Sequence, residues 1–450
     1  MSLTKATFSM INGAQVNVLD YGADPTGVAD SSAAFQAALL AGATVYVPSG
    51  TYKANITIPT TATYGAKRIV GNGKTSTTLV TVDASSPAVI TVDATSAYMQ
   101  HFQLEQIGLQ STAGNVNAIG LYFKGTNVNS INDYHAITDV SITGFGKGVY
   151  ATGRLIESTW ERVFITYCKI GFHGSTDPAN VSFIINRFST CNFNNSLQEG
   201  VRVDVLSLDN TFYACNFQGN NSAAVAGVAA THFVDSQNLT FIACYWEDNA
   251  GSVAVNTTVP ATNSIGCRIT GSGITTNPVI INSWMVGSGC ILLVDPTVLQ
   301  SGSVNNCSIT PTATGFGVAV TSAVNQGTTQ SQFAVNSAVS GQILLNNSVS
   351  SSQMGFIQQQ EGWFYGANPA SVDLAKFKNF MINNSAVDCT LVAPTNLIVG
   401  CELTIYAYGQ KVTVPGSVMA GGAASDVLTN TMQTFVVLPY PYYGKLAKKA

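Results

Sequence analysis

The sequence predicts an all-β fold, a parallel β-helix in which successive coils stack into a solenoid. Two observations predict it. The chain of 450 residues is only 9% charged although 46% of it is hydrophobic, which suits stacked β coils because like charges one above another would repel. Six cysteines also recur at intervals of 23, 24, 29, 23 and 23 residues, and such a period is typical of solenoids: Cys168, Cys191, Cys215, Cys244, Cys267 and Cys290.

The repeat contains strand-like motifs as well as cysteines. Residues 188–193 read FSTCNF, residues 212–217 read FYACNF and residues 241–246 read FIACYW. Alternating apolar and polar positions indicate strands with one buried face, and the 29-residue interval predicts a coil with an added loop over 220–231. There is no close CxxC pair and the nine cysteines are an odd number, so we interpret the six as buried free thiols that mark the frame.

The elements follow in order along the chain. Residues 1–51 are expected to form an N-terminal segment and cap, with a helix over 30–41 covering the open end of the solenoid. The parallel β-helix is expected over 52–310, and late coils or a connector over 311–360. Residues 361–450 predict a C-terminal antiparallel β domain, similar to a sandwich and suited to trimerisation or carbohydrate binding, because alternation returns there with hairpin-like spacing.

Charge and hydropathy exclude several classes of partner. The net charge is −4 and no block of Lys and Arg precedes the last six residues, so we expect no nucleic acid partner. No apolar stretch is long enough to span a bilayer, so we expect no membrane insertion. The first ten residues lack an apolar core, so we expect no ordinary signal peptide and synthesis in the cytoplasm of the host.

A family resemblance rests on two segments near the N-terminus. VNVLDYGADPTGVADSSAAFQAAL at 16–39 and VYVPSGTY at 45–52 closely resemble the opening of the pectate-lyase-like, polygalacturonase-like superfamily of right-handed β-helices. FSMINGAQVNVLDYGA at 8–23 is similar to the version found in bacteriophage tailspikes. APTNLIVGCELTIYAYG at 393–409 resembles the small β domains that close phage fibre and spike trimers.

The resemblance implies a right-handed β-helix assembled as a parallel homotrimer. It implies a tailspike of the virion tail, held by a phage tail or baseplate adaptor and extracellular after release. Such proteins bind bacterial surface polysaccharide, capsule or O-antigen, and depolymerise it with carboxylates on the helix face or between subunits. The motifs of polygalacturonases and the calcium-binding Asp clusters of pectate lyases do not occur here, so we expect no pectin chemistry, metal or cofactor.

Carboxylates are the candidates for catalysis, because glycoside hydrolysis needs two of them, ~5–5.5 Å or ~6.5–9.5 Å apart. In the cysteine frame Asp139, Glu161 and Asp209 fall near one column on neighbouring coils, and we predict that they are catalytic together with Glu157 and Glu247. Aromatic, basic and acidic residues beside them predict substrate binding: Trp160, Arg162, Arg187, Trp246 and Asp248.

Other interpretations remain open. A carboxylate at a β-helix turn often caps a backbone amide, and the inward position of Trp246 favours the core. The same scaffold also suits a polysaccharide lyase that uses a Tyr, His or Lys base. A third interpretation is a carbohydrate-binding spike or fibre without catalysis.

Overall fold

The computed structural model describes two compact units, Met1–Gly251 and Ser252–Ala450. The described residues of the first unit are 15–59, 66–83, 85, 87–96, 98–111, 117–126, 129–175, 183–223, 225, 228–247 and 249. Those of the second unit are 265–271, 278–286, 290–296, 301–310, 316–320, 332–339, 342–345, 379–382, 389–390, 402–407, 411–415, 417, 419, 426–428, 432–437 and 446–448.

The first unit contains one α-helix, α1 (Ser32–Ala41), one 3-10 helix (Val18–Tyr21) and short strands among its described residues. The strands in chain order are β1 Val16–Asn17, β2 Thr26–Asp30, β3 Thr44–Tyr46, β4 Gly50–Lys53, β5 Ile56–Ile58, β6 Arg68–Val70, β7 Thr77–Val80, β8 Ala88–Asp93, β9 Met99–Gln100, β10 Gln103–Glu105, β11 Gly108–Gln110, β12 Ile119–Lys124, β13 Ile131–Asp133, β14 Ala136–Thr138, β15 Ser141–Thr143, β16 Lys147–Ala151, β17 Arg154–Ile156, β18 Thr159–Glu161, β19 Phe164–Thr166, β20 Ile170–Gly174, β21 Phe183–Ile184, β22 Arg187–Ser189, β23 Asn192–Asn194, β24 Val201–Val203, β25 Ser207–Leu208, β26 Thr211–Tyr213, β27 Asn216–Gln218, β28 Ala229–Val234, β29 Ser236–Gln237, β30 Thr240–Ile242 and β31 Tyr245–Glu247.

These strands stack in parallel into four ladders, which confirms the right-handed parallel β-helix. Ladder 1 is β1, β3, β6, β10, β14, β18, β22, β26 and β30. Ladder 2 is β2, β4, β7, β11, β15, β19, β23, β27 and β31. Ladder 3 is β5, β8, β12, β16, β20, β24 and β28, and ladder 4 is β9, β13, β17, β21, β25 and β29. Each full coil runs through ladders 3, 4, 1 and 2 in turn, so residues of successive coils lie beside one another at ~4.8 Å.

Aromatic rings fill the interior of the first unit. In ladder 1 the rings of Phe188, Phe212 and Phe241 stack, with centroids 4.5 and 5.0 Å apart. In ladder 2 the ring of Phe217 stacks on that of Trp246 at 4.8 Å. Such pairs stabilise the core by ~0.5–1.5 kcal/mol beyond the burial of their area. The Phe positions that repeat in the sequence are therefore the inward positions of the coils.

The cysteine frame is correct over three coils and wrong at both ends. Cys191, Cys215 and Cys244 are free, buried and located between a ladder 1 strand and the following ladder 2 strand. Cys168 lies one turn further along its coil, between β19 and β20, because the coil from β18 to β22 takes 28 residues and not 23. In the second unit Cys267 pairs with Leu292 and not with a cysteine.

The N-terminal cap forms as predicted, with one difference in its exposed face. Asp30 accepts a hydrogen bond from the amide of Ser32 at 2.8 Å, which satisfies a donor in the first turn of α1. The helix buries Phe35, whose ring meets that of Tyr52 edge-on at 5.8 Å. Leu40, expected on the apolar side, is 67% exposed because it follows Leu39 on the outer face. The helix thus covers the first coil with a narrower apolar stripe than predicted.

The second unit contains parallel ladders followed by two small sheets. Its strands are β32 Ile265–Gly271, β33 Val279–Ile281, β34 Trp284–Val286, β35 Cys290–Pro296, β36 Ser301–Thr310, β37 Phe316–Val320, β38 Gln332–Val339, β39 Gln342–Leu345, β40 Asn379–Ile382, β41 Cys389–Thr390, β42 Glu402–Ala407, β43 Val412–Val414, β44 Asp426–Leu428, β45 Met432–Val437 and β46 Leu446–Lys448. Strands β32, β35, β37 and β39 are parallel, as are β33, β34, β36 and β38.

The C-terminal sheets have the order β40-β42-β45-β46 and β41-β43-β44. The predicted antiparallel pairing is present between β42 and β45, β45 and β46, and β43 and β44, whereas β40 and β41 join their sheets in parallel. Across the described residues, no helix has both the length and the apolar character needed to cross a membrane.

Candidate functional site

The predicted catalytic column does not form, because its three carboxylates lie at different positions of the coil. Asp139 lies at a left-handed turn after β14, and the residue beside it on the next coil is Arg162. Glu161 ends β18 and pairs with Ser189 on the following coil. Asp209 lies at a different left-handed turn, the one that precedes β26 in ladder 1. The cysteine frame slipped by several residues where coil lengths differ, so it merged two turns into one.

Two of these carboxylates nevertheless meet in what we call the groove cluster, made of Lys74, Asp139, Glu161 and Arg162. The Arg162 guanidinium binds Asp139 through Nε at 2.7 Å and Nη2 at 3.0 Å, and its Nη1 donates to Glu161. Hydrogen bonds from Arg162 lower the pKa of Asp139 below its usual range. The groove cluster therefore holds ionised carboxylates that are neutralised by a cation.

The groove itself is a shallow depression on the outer face of ladders 1 and 2. It has a volume of about 350 Å³, within the range that suits a small ligand, and its lining residues are Asn72, Gly73, Lys74, Thr75, Gln106 and Asp139. The ammonium of Lys74 lies 3.5 Å from the centroid of the Phe164 ring. Polar side chains and one cation thus face the opening, an arrangement suited to hydrogen bonding with a sugar.

A second set of residues, which we call the edge cluster, lies at the corner between ladders 4 and 1. It consists of His101, Asp133, Tyr134 and Glu157 on three successive coils. His101, Tyr134 and Glu157 adopt the same left-handed backbone conformation, with φ of 57°, 53° and 47°, so they stack in one column. The rings of His101 and Tyr134 are stacked 5.4 Å apart, and the hydroxyl of Tyr134 donates to the Glu157 carboxylate.

The electrostatics of the edge cluster differ from those of the groove cluster. Burial and the nearby Glu157 charge raise the pKa of Asp133. One carboxylate oxygen of Asp133, Oδ1, is buried without a hydrogen-bond partner among the described residues, and the other accepts from Gln100 Nε2 at 3.4 Å. The hydrogen bond to Glu157 raises the pKa of Tyr134. The cluster therefore combines a carboxyl that keeps its proton to higher pH with a second carboxylate on the next coil.

The other predicted polar residues lie apart from both clusters. Asp209 accepts a hydrogen bond from Asn238 at 2.6 Å, and Glu247 accepts one from Gln218 at 2.7 Å. Arg187 is exposed on ladder 1 between threonines of the neighbouring coils. Asp248 lies outside the described residues. Catalytic roles for Asp209 and Glu247 and a binding role for Arg187 stay predictions.

The two tryptophans do not form a sugar-stacking surface. Trp160 is 1% exposed, and its ring stacks on Phe188 at 5.5 Å inside the coil. Trp246 is fully buried, in agreement with its inward position in the repeat. Trp160 points inward because it alternates with Thr159 and Glu161, both exposed, along a three-residue strand. The predicted binding role of Trp160 and Trp246 is corrected to a core role.

Sequence reasoning found Glu157 but gave no role to Asp133, Tyr134 or His101. The missed signal is positional, since each column residue directly precedes a ladder 1 strand. The interval from His101 to Tyr134 is 33 residues and that from Tyr134 to Glu157 is 23, so a search at constant period misses the column.

Comparisons with known proteins agree with this architecture. Residues 15–202 match the family model described as rhamnogalacturonase A/epimerase, pectate lyase-like. The comparison with curated proteins gives no match. The chain belongs to the pectate-lyase-like parallel β-helix superfamily.

Solved structures share the fold at low sequence identity. The tailspike gp42 of Acinetobacter phage vb_AbaP_AS12 is 12% identical, with 94% of this chain and 74% of that chain covered and a TM-score of 0.50. Geobacillus virus E2 ORF18 is 17% identical over 72% of this chain, with a TM-score of 0.47, and the match spans 61% of its length. The A-module of Azotobacter vinelandii mannuronan C-5 epimerase AlgE4 is 16% identical, with 73% of this chain and 97% of that chain covered and a TM-score of 0.45.

Proposed function

We propose that this protein is a phage tailspike that binds bacterial surface polysaccharide, capsule or O-antigen, and depolymerises it by glycoside hydrolysis. The observation that carries the proposal is the edge cluster, in which the protonated form of Asp133 is favoured beside the Glu157 carboxylate. Two carboxyl groups whose environments differ in this way are the requirement for a glycosidase, because one must donate a proton while the other stays ionised.

The register supports a retaining geometry. Asp133 pairs with Ile156 across ladder 4, so Glu157 is one residue beyond the partner of Asp133 on the next coil. Adjacent coils lie ~4.8 Å apart, and a retaining enzyme holds its two carboxyl groups ~5–5.5 Å apart. The two groups thus have the separation needed for attack on the sugar that is being cleaved.

The residues then divide the chemistry between them. Asp133 gives its proton to the glycosidic oxygen as the bond to the anomeric carbon breaks, and Glu157 attacks that carbon to form a glycosyl ester. Water hydrolyses the ester while Asp133 accepts the proton of the water. The Tyr134 hydroxyl holds Glu157 in position through its hydrogen bond, and His101 packs behind the tyrosine ring.

The tailspike part of the proposal rests on the N-terminal signature and on the phage tailspike among the proteins of the same fold. It includes assembly as a parallel homotrimer, a place on the virion tail and attachment through a tail or baseplate adaptor. An unfinished solenoid needs neighbours or caps, which favours assembly.

A lyase on the same scaffold is the second candidate, because Tyr134 and His101 lie next to the carboxylates. The raised pKa of Tyr134 disfavours it as a base, since the phenolate forms only at higher pH. A spike that binds without cleaving is the third candidate and requires no acid with a raised pKa.

One assay separates the three candidates. The protein is incubated with the surface polysaccharide of its host bacterium, and reducing ends and ultraviolet absorbance of unsaturated products are followed. Hydrolysis gives reducing ends without absorbance, whereas a lyase gives both and a binding spike gives neither. Glu157→Gln should abolish the release of reducing ends, whereas Asp93→Asn, a carboxylate paired with Lys124 on ladder 3, should not. Full activity in Glu157→Gln would overturn the assignment.

A further inference from the structure

A ladder of large polar side chains runs along the outer face of ladder 3. Tyr122 pairs with Tyr150, Tyr150 with His173, His173 with Arg202 and Arg202 with His232, one residue from each of five successive coils. Their neighbours in sequence are buried, so these side chains point outward. None of them was singled out by the sequence, and they lie on a different ladder from the edge cluster and the groove cluster.

Aromatic rings and a lysine form the first half of this face. The rings of Tyr122 and Tyr150 are stacked 5.4 Å apart, and the imidazole of His173 lies 5.2 Å from Tyr150. The ammonium of Lys147 lies 3.4 Å from the centroid of the Tyr150 ring. Among the described residues Lys147 forms no salt bridge with a carboxylate. Its charge is therefore available to a ligand.

An ion network forms the second half. Asp204 accepts from Nε2 of His173 at 2.8 Å and from Nε of Arg202 at 2.7 Å. Arg202 Nη1 also donates to Glu199 at 3.2 Å, and the Glu199 side chain is 1% exposed. Burial opposes ionisation of Asp204, but the hydrogen bonds from His173 and Arg202 lower its pKa to about 2. The network fixes the guanidinium of Arg202, which remains 34% exposed, on the surface.

The chemistry of the exposed atoms indicates the class of ligand. Tyrosine hydroxyls and ring edges suit the hydroxyls and C–H groups of a sugar, and two outward cations suit a carboxylate. Coils are ~4.8 Å apart, so Lys147 and Arg202 lie on the order of 10 Å apart along the solenoid, a span of about two sugar units. The carboxylates of this face are directed at His173 and Arg202 and not at solvent.

We propose that the ladder 3 face, defined as Lys147, Tyr150, His173, Arg202 and Tyr122, binds an acidic sugar unit of the polysaccharide. Lys147 and Arg202 bind its carboxylate, and Tyr122 and Tyr150 contact the ring. This inference deepens the proposed function and rests on it, since it names the substrate as a chain with carboxylate-bearing sugars. The face holds the chain and takes no part in cleavage.

The test measures binding without cleavage. The full chain carrying Glu157→Gln is titrated with polygalacturonate, which is acidic, and with dextran, which is neutral. We expect binding of polygalacturonate and none of dextran. Lys147→Gln in the same background should weaken binding of polygalacturonate about tenfold, which is the effect of one lost charge-assisted contact.

Two further variants make the test sharp. Lys124→Gln removes another lysine of ladder 3, but its ammonium is held by Asp93 at 2.8 Å, so binding should not change. Arg202→Gln combined with Glu199→Gln removes the second cation without leaving a buried carboxylate unpaired, and binding should weaken by a similar factor. The inference is overturned if Lys147→Gln and the double variant bind polygalacturonate as tightly as the parent, or if the parent binds dextran equally well. Failure of the proposed hydrolysis is seen separately, as no release of reducing ends by the parent chain.

Discussion

The edge cluster and the groove cluster each place two carboxyl groups on neighbouring coils of one solenoid, yet their electrostatics are opposite. In the groove cluster Arg162 binds Asp139 and Glu161, and the pKa of Asp139 is lowered. In the edge cluster no cation binds Asp133 among the described residues, and its pKa is raised by burial and by Glu157. The presence of one guanidinium therefore separates a pair that is permanently ionised from a pair able to share a proton.

The largest expected effect comes from removing the charge of each pair in turn. Asp133→Asn and Glu157→Gln should each lower the rate of reducing-end release by about 10²–10⁴-fold, because each removes an acid or base that acts in the transition state. Asp139→Asn and Glu161→Gln should lower it by less than about tenfold, since these groups have no proton to donate at neutral pH. The rates of the four variants at one polysaccharide concentration check this, and a larger loss in the groove pair would reverse the assignment.

Trp160 tests whether both clusters depend on the same core. Trp160→Ala should lower the free energy of unfolding by about 3–5 kcal/mol, because it removes a buried ring that stacks on Phe188. Trp160→Phe should keep most of the stability and all of the polysaccharide binding. Denaturant unfolding measures the first effect. Loss of binding in a stably folded Trp160→Phe variant would restore the surface role predicted from the sequence.

The pH dependence of activity sharpens the role of Asp133. The amide of Gln100 donates to the Asp133 carboxylate and stabilises its ionised form, so Gln100→Ala should raise the pKa of Asp133 further. The proton is then kept to higher pH, and the alkaline limb of kcat/KM should move upward. Gln218→Ala is the matched control, because Gln218 donates in the same manner to Glu247 on ladder 2. An unchanged alkaline limb in Gln100→Ala would exclude Asp133 as the acid.

The smallest effect is expected in the groove cluster. Arg162→Gln should raise the pKa of Asp139 toward its ordinary value, which an NMR titration of the carboxyl carbon measures. The folded-state pKa of Asp139 is depressed, so its contribution to stability is present above the unfolded pKa and is lost as pH falls through the folded pKa. Because the Arg162 side chain is 45% exposed, the loss at neutral pH should stay below about 1 kcal/mol. An unchanged titration would mean that Arg162 does not bind Asp139 in solution.

The sequence by itself determined the fold class, the capping helix and the inward positions of the coils. These features depend on local alternation and on repeated aromatic residues such as Phe188, Phe212 and Phe241, which any coil must bury. The cysteine frame was correct wherever coil length was constant. It also identified Trp246 as an inward residue, and the structure agrees.

Only the tertiary structure decided which side chains share a column. Parallel strands pair by register, and a coil with a loop adds residues without changing the pairing, so Trp160 meets Phe188 after 28 residues while Ile137 meets Trp160 after 23. A constant period cannot follow such changes, which is why Asp209 was placed with Asp139 and why Asp133 and Tyr134 were missed. The proton affinity of each carboxyl depends on what the neighbouring coil brings beside it, and that neighbour is far away in the sequence.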